Sequence, residues 1–96
     1  MAEPNQQQIQ IRDNFAGGEY ANNMRMLFSK EEMTLLFDNI VPPSGRVVGK
    51  IIVSPGHLKR IVKVLQDSLG NYEKQFGKVE EAAMPKNEIG FQERAV

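Results

Sequence analysis

The sequence predicts an α+β domain: a three-stranded antiparallel β-meander followed by one long C-terminal α-helix, in two layers. Three observations carry this. Between residues 20 and 53, short runs alternate apolar with polar side chains, the period of half-buried strands. Polar and proline-rich breaks at 29–32 and 42–45 separate those runs. From Leu58 onward the period changes, and apolar residues recur at helical spacing as far as Phe76.

Ile9 and Ile11 alternate with Gln8, Gln10 and Arg12, so residues 1–12 read as an N-terminal arm or a short edge strand. Asp13-Asn14-Phe15-Ala16-Gly17-Gly18 is a turn, because paired glycines break regular structure. The first strand is expected over 20–28, with Met24, Met26 and Phe28 on one face and Asn23, Arg25 and Leu27 on the other. Ser29-Lys30-Glu31-Glu32 makes the hairpin connection. Ser29 and Glu32 also have capping-box spacing, so one helical turn is the rival reading. The second strand is expected over 33–41, with Met33, Leu35 and Phe37 facing one way and Thr34, Leu36 and Asp38 the other. Pro42-Pro43-Ser44-Gly45 ends it, since proline has no N–H to give a ladder.

The third strand, 46–53, is the most apolar. Val47, Gly49, Ile51 and Val53 are expected on one face, Arg46, Val48, Lys50 and Ile52 on the other. Apolar residues on both faces suit a central or interface strand, and Gly49 marks a bulge or a close backbone approach. Ser54 is then the N-cap and Pro55 the first helical residue. The helix should run over 55–76 and stop at Gly77. Leu58, Val62, Leu65, Leu69, Tyr72 and Phe76 form a narrow seam along it, widened by Ile61 and Val64. Gly70 inside the helix costs about 1 kcal/mol relative to Ala and reads as a close-contact point. The domain proper is therefore 13–79, with 80–96 a flexible tail. In that tail, Ile89 and Phe91 are isolated apolar residues that dock either on the domain or on a neighbour.

A chain of 96 residues with two tails leaves a core too small to be more than marginally stable alone. Oligomerisation is a common remedy, and a helix roughly 33 Å long at 1.5 Å per residue overhangs strands this short. The absence of cysteine excludes disulfides and thiolate metal sites, and a single histidine cannot build a His-rich one. The carboxylates lack an EF-hand spacing, so neither a metal nor a cofactor is expected. No apolar run approaches the ~20 residues that span a bilayer, and the first residues lack the basic and apolar parts of a signal peptide. The expected setting is the cytoplasm, without membrane contact.

Four short patterns occur in order: Tyr20-Ala21-Asn22 before the first strand, Pro42-Pro43 before the third, Ser54-Pro55-x-His57-x-Lys59-Arg60 at the helix start, and Asn71-Tyr72-Glu73-x-x-Phe76-Gly77 at its end. Together, over about residues 15–77, they resemble the bacterial and archaeal domain-of-unknown-function family numbered 3467. The resemblance implies a small prokaryotic β-β-β-α protein with no established activity. It supplies no catalytic residue, and both tails lie outside its pattern.

Net charge is zero but unevenly placed. Arg46, Lys50, Lys59, Arg60 and Lys63 cluster with His57, and no acid lies between Arg46 and Lys63. Cations at a helix N-terminus oppose the macrodipole, so they point to negative charge from elsewhere: an acidic protein or nucleic acid. The bland reading is a solvated face paired with Glu31 or Glu32. The backbone N–H groups of Gly56 and His57 also offer an anion site, although no Gly-rich nucleotide loop is present. Ser54 beside His57 invites a Ser–His reading, yet Ser54 sits where an N-cap belongs and no nearby acid orients the imidazole.

The expectation is a small non-enzymatic interaction or assembly protein, homo-oligomeric, with no small-molecule substrate. Its binding surface is Arg46, Lys50, His57, Lys59, Arg60 and Lys63, and its oligomer seam is the helical one. The alternatives are nucleic-acid binding through the 46–63 stripe, and a holdase or adaptor resembling the export chaperone SecB. The latter would use the methionines 24, 26 and 33 as adaptable apolar surface.

Overall fold

A computed structural model describes residues 7–84. The strands are β1 (Asn23–Phe28), β2 (Met33–Val41) and β3 (Ser44–Val53), followed by the helix α1 (Pro55–Phe76). The sheet order is β1-β2-β3, antiparallel throughout. Class and element order are those the sequence predicts. The expectations for Ile89, Phe91 and the rest of 85–96, and for residues 1–6, lie outside the described residues.

Local chemistry explains each boundary. Phe28 pairs with Met33, and the Ser29 N–H donates to the Glu32 carbonyl at 2.9 Å, closing the first hairpin. The Ser29 hydroxyl accepts from the Glu32 N–H at 3.3 Å, as a capping box would have it. Strand pairing resumes at once, so no helical turn forms. β1 starts at Asn23, three residues after the expected point, because the Asn22 side chain stands in for the strand. Its amide nitrogen donates to the Ile40 carbonyl and its oxygen accepts from the Ile40 N–H, each at 2.9 Å. Those two β2 backbone groups are thereby satisfied without another strand residue. Tyr20 stays exposed, and residues 7–22 hold no strand. Of the two readings of Ile9 and Ile11, the edge strand is therefore corrected to an arm, with both side chains exposed.

Val41 pairs directly with Ser44 across Pro42 and Pro43, whose peptide bond is cis. β3 thus begins two residues before the expected Arg46. Phe37 pairs with Gly49 but Asp38 with Val47, so Val48 is an extra residue on β3. The bulge expected near Gly49 is real, and it reverses the facing of everything before it. Val47 joins the side of Lys50 and Leu36, not that of Gly49. Arg46, opposite Asn39, moves to the Phe37 side.

Leu35 and Leu36, on opposite faces of the central strand, are the buried apolar side chains among the described residues. Met24, Phe28, Phe37 and Ile51 share the Leu35 side and remain substantially exposed. The expected packing of two layers is corrected: the helix covers little of the sheet. Leu58 and Ile61 are half-buried. The rest of α1 scarcely touches the sheet, and the helix contains no buried residue. The projecting helix and the arm give a radius of gyration of 17.6 Å, where a compact chain of this length has about 12 Å.

Both helix ends are as the sequence predicts. Ser54 accepts from the His57 N–H at 3.1 Å, with Pro55 in the first turn. Gly77, at φ 99°, donates its N–H to the Glu73 carbonyl at 2.8 Å, in a conformation that glycine adopts without strain. A Cβ on Gly70 would meet nothing within 4 Å, so no close contact exists there within the chain. Gly70→Ala is expected to raise stability by about 1 kcal/mol, read as a higher urea midpoint with unchanged slope.

Candidate interaction surface

The helical seam is an extended, exposed apolar feature of the fold. Beyond Leu58, its residues retain much of their surface: Val62 44%, Leu65 62%, Leu69 51%, Tyr72 51% and Phe76 65% exposed. The Tyr72 and Phe76 rings stand 4.9 Å apart at 43°, a tilted pair ordered in advance of any contact. The seam is continuous because residues spaced by three and four stack on one side of a helix.

Arg60 and Lys63 occupy the side of α1 turned away from that seam, and Lys59 lies on its border, at roughly 100° per residue. The first turn contains no acid. Among the described residues, none of these three cations forms an ion pair, and the expected pairing with Glu31 or Glu32 is not made. Lys50 is likewise without one, whereas Arg46 lies 3.7 Å from the Glu19 carboxylate, both side chains being mostly exposed. A pair so exposed contributes little. The bulge puts Arg46 and Lys50 on opposite faces of the sheet, and Arg46 sits at the turn end of β3, roughly 23 Å of extended strand from Val53. The structure therefore gathers Lys59, Arg60 and Lys63 on one helix face and leaves Arg46 apart.

His57 helps line a shallow depression of about 270 Å³ with Arg60, Ile61, Val64 and Leu65. All five belong to one helix, so among the described residues no second wall encloses a ligand. The Ser54 hydroxyl is engaged by the His57 backbone N–H.

The best-built polar cluster is one that no sequence motif marks. Asp38 is 4% exposed. Arg25 donates to it twice, Nε to Oδ2 and Nη2 to Oδ1, both at 2.8 Å, and the Asn23 amide donates to Oδ2 at 3.0 Å. The Arg25 hydrogen bonds hold the Asp38 carboxyl below its ordinary value, against the upward push of burial and with further help from Asn23. The signal was present: a two-residue hairpin loop at Lys30-Glu31 sets Asn23 opposite Asp38 and Arg25 diagonal to it. The cluster staples β1 to β2.

Among the described residues, no group of His, Asp or Glu is arranged to hold a metal ion, and no helix is long and apolar enough to cross a membrane. No curated protein and no solved structure matches the chain. The short patterns of the sequence fall at structural joints: the Asn22 ladder mimic, the Pro42–Pro43 turn, the Ser54 cap and the Gly77 stop. A family match runs over residues 1–81, which corrects the expectation that the N-terminal arm lies outside the pattern. On a match over most of its length, the chain belongs to the family of proteins of unknown function DUF3467.

Proposed function

We propose that this protein is a non-enzymatic assembly module whose helical seam is completed by a second copy of the same chain. The observation that carries the reading is a 22-residue helix with no buried residue and a continuous apolar seam. Leu35 and Leu36 are the buried apolar side chains among the described residues, a small core for a domain of this size, and covering the seam would enlarge it. The seam steps by four and three, the spacing that meshes with another helix of its own kind, and most soluble oligomers are built from identical copies.

The nucleic-acid reading keeps Lys50 and the three helix cations once Arg46 is placed elsewhere, and four cations on a neutral chain offer few phosphate contacts. Sedimentation and light scattering, with thermal melts over a hundredfold range of concentration, test the proposal. A multiple of 10.8 kDa with a Tm that rises with concentration is expected. A 10.8 kDa species with a cooperative, concentration-independent melt would sink it.

A further inference from the structure

The seam reads the same from either end. Its positions 58, 62, 65, 69, 72 and 76 step four, three, four, three, four, with the midpoint at Asp67. Turned end for end about that point, the helix of a second copy sets Leu58 against Phe76, Val62 against Tyr72 and Leu65 against Leu69. Every layer is apolar, and each bulky ring meets an aliphatic side chain.

The flanks decide between the two possible directions. Residues that follow Leu58, Leu65 and Tyr72 line one border of the seam. In the antiparallel arrangement, Lys59 of each copy meets Glu73 of the other, and Gln66 meets its own counterpart. In the parallel arrangement, the border sets Ser68 beside Glu73 and Ile61 beside Gln66, with no opposite charges. One Glu73 oxygen accepts the Val79 N–H at 2.9 Å, leaving the other for Lys59.

The antiparallel direction also suits a cation at the wrong end of a helix dipole. Lys59, on the border of the seam, would lie beside the C-terminal end of the neighbouring helix, whose dipole favours it. A parallel pair would instead set both Lys59 side chains at the N-terminal ends.

We infer that two copies pair through antiparallel α1 helices with a two-fold axis at Asp67, held in register by reciprocal Lys59–Glu73 pairs. This inference rests on the self-assembly reading, and the experiment separates the two. Arg60, Asp67 and Lys74 are exposed and lie on the outer side of the helix, away from the seam. The chain contains no cysteine, so Arg60→Cys, Asp67→Cys and Lys74→Cys in the full chain each carry a single nitroxide label. Pulsed spin-resonance distances between copies should be shortest at 67 and longer, by similar amounts, at 60 and 74. The axial part grows from zero to about 21 Å at 1.5 Å per residue counted over both chains. Equal distances at all three sites, or distances not symmetric about 67, would overturn the arrangement while leaving self-assembly standing. A monomeric mass without spin coupling would remove both.

Charge reversal gives an independent readout. Lys59→Glu should weaken association about tenfold, two attractive pairs becoming repulsive. Lys59→Glu with Glu73→Lys should restore it to within about twofold. Within an isolated helix, Lys59→Glu improves the dipole and would stabilise. A variant that associates as tightly as the parent, or a double variant that fails to recover, would therefore refute the pairing.

Discussion

Leu69→Glu is expected to dissociate the protein, and with it to unfold most of the helix. In one chain, Leu69 is 51% exposed, and a substitution at so open a position ordinarily changes stability by about 0.5 kcal/mol or less. The paired arrangement predicts a different scale. Leu69 then faces Leu65 near the centre of the seam, and symmetry introduces two carboxylates at once. Desolvating each without a partner costs several kcal/mol, so the association constant should fall by at least about a thousandfold, or ~4 kcal/mol. Phe76→Glu acts in the same direction but less strongly, because the last seam position lies at the helix end and its carboxylate keeps some water. Circular dichroism and sedimentation on one sample read the loss of helix and of mass together. A well-folded, unchanged monomer both before and after substitution would rule out the seam as a contact surface.

Removing Arg25 is expected to be nearly as damaging, for a reason internal to one chain. The Asp38 side chain is 6% exposed and the Arg25 side chain 24%, so the pair is largely withdrawn from solvent. Arg25→Ala leaves a buried carboxylate with the Asn23 amide as its remaining side-chain donor. Breaking a buried pair in this way costs about 3–5 kcal/mol, a large share of the stability of so small a domain. The same pair sets the acid limit. The native Asp38 value lies below the unfolded one of about 3.9, so its contribution is complete above that value. It is lost as pH falls through the depressed native value. Urea unfolding between pH 3 and 7 should show stability declining below about pH 4, and Asp38→Asn should flatten that decline while lowering stability at pH 7. An acid limb unchanged in Asp38→Asn would show that other carboxylates govern it.

The parts of the fold that announce themselves in sequence are those whose backbone is handled by residues with one strong preference. Ser54-Pro55 and Gly77 delimit the helix, and Pro42-Pro43 ends β2. What stayed hidden involved side chains replacing backbone, or one residue altering a register. Asn22 imitates a strand through its amide, so pattern reading placed β1 too early. Val48 adds a single residue, and alternation carried through it puts Arg46 on the wrong face. That bulge, and the length of strand between Arg46 and the helix, separate cations that are continuous in sequence. The seam itself was legible from spacing. Its lack of cover was not, because an amphipathic pattern demands a covering surface without saying whose it is.

The junction between β3 and α1 is a single residue, Ser54, engaged at both hydroxyl and carbonyl by the helix it caps. So short a joint leaves little slack, and the sheet follows the direction of the helix as a head follows its shaft. In an end-for-end pair the two sheets then sit at opposite ends of a rod roughly 33 Å long. Each carries Met24, Phe28, Phe37 and Ile51, substantially exposed, on one side. The rod would then hold two identical apolar sheet faces at a fixed interval. A partner that repeats at that interval would be gripped at both ends, and its hold would gain from the second attachment without any new contact. Inserting seven residues into the helix would keep the seam in phase but lengthen the spacer by about 10 Å, changing which repeats fit.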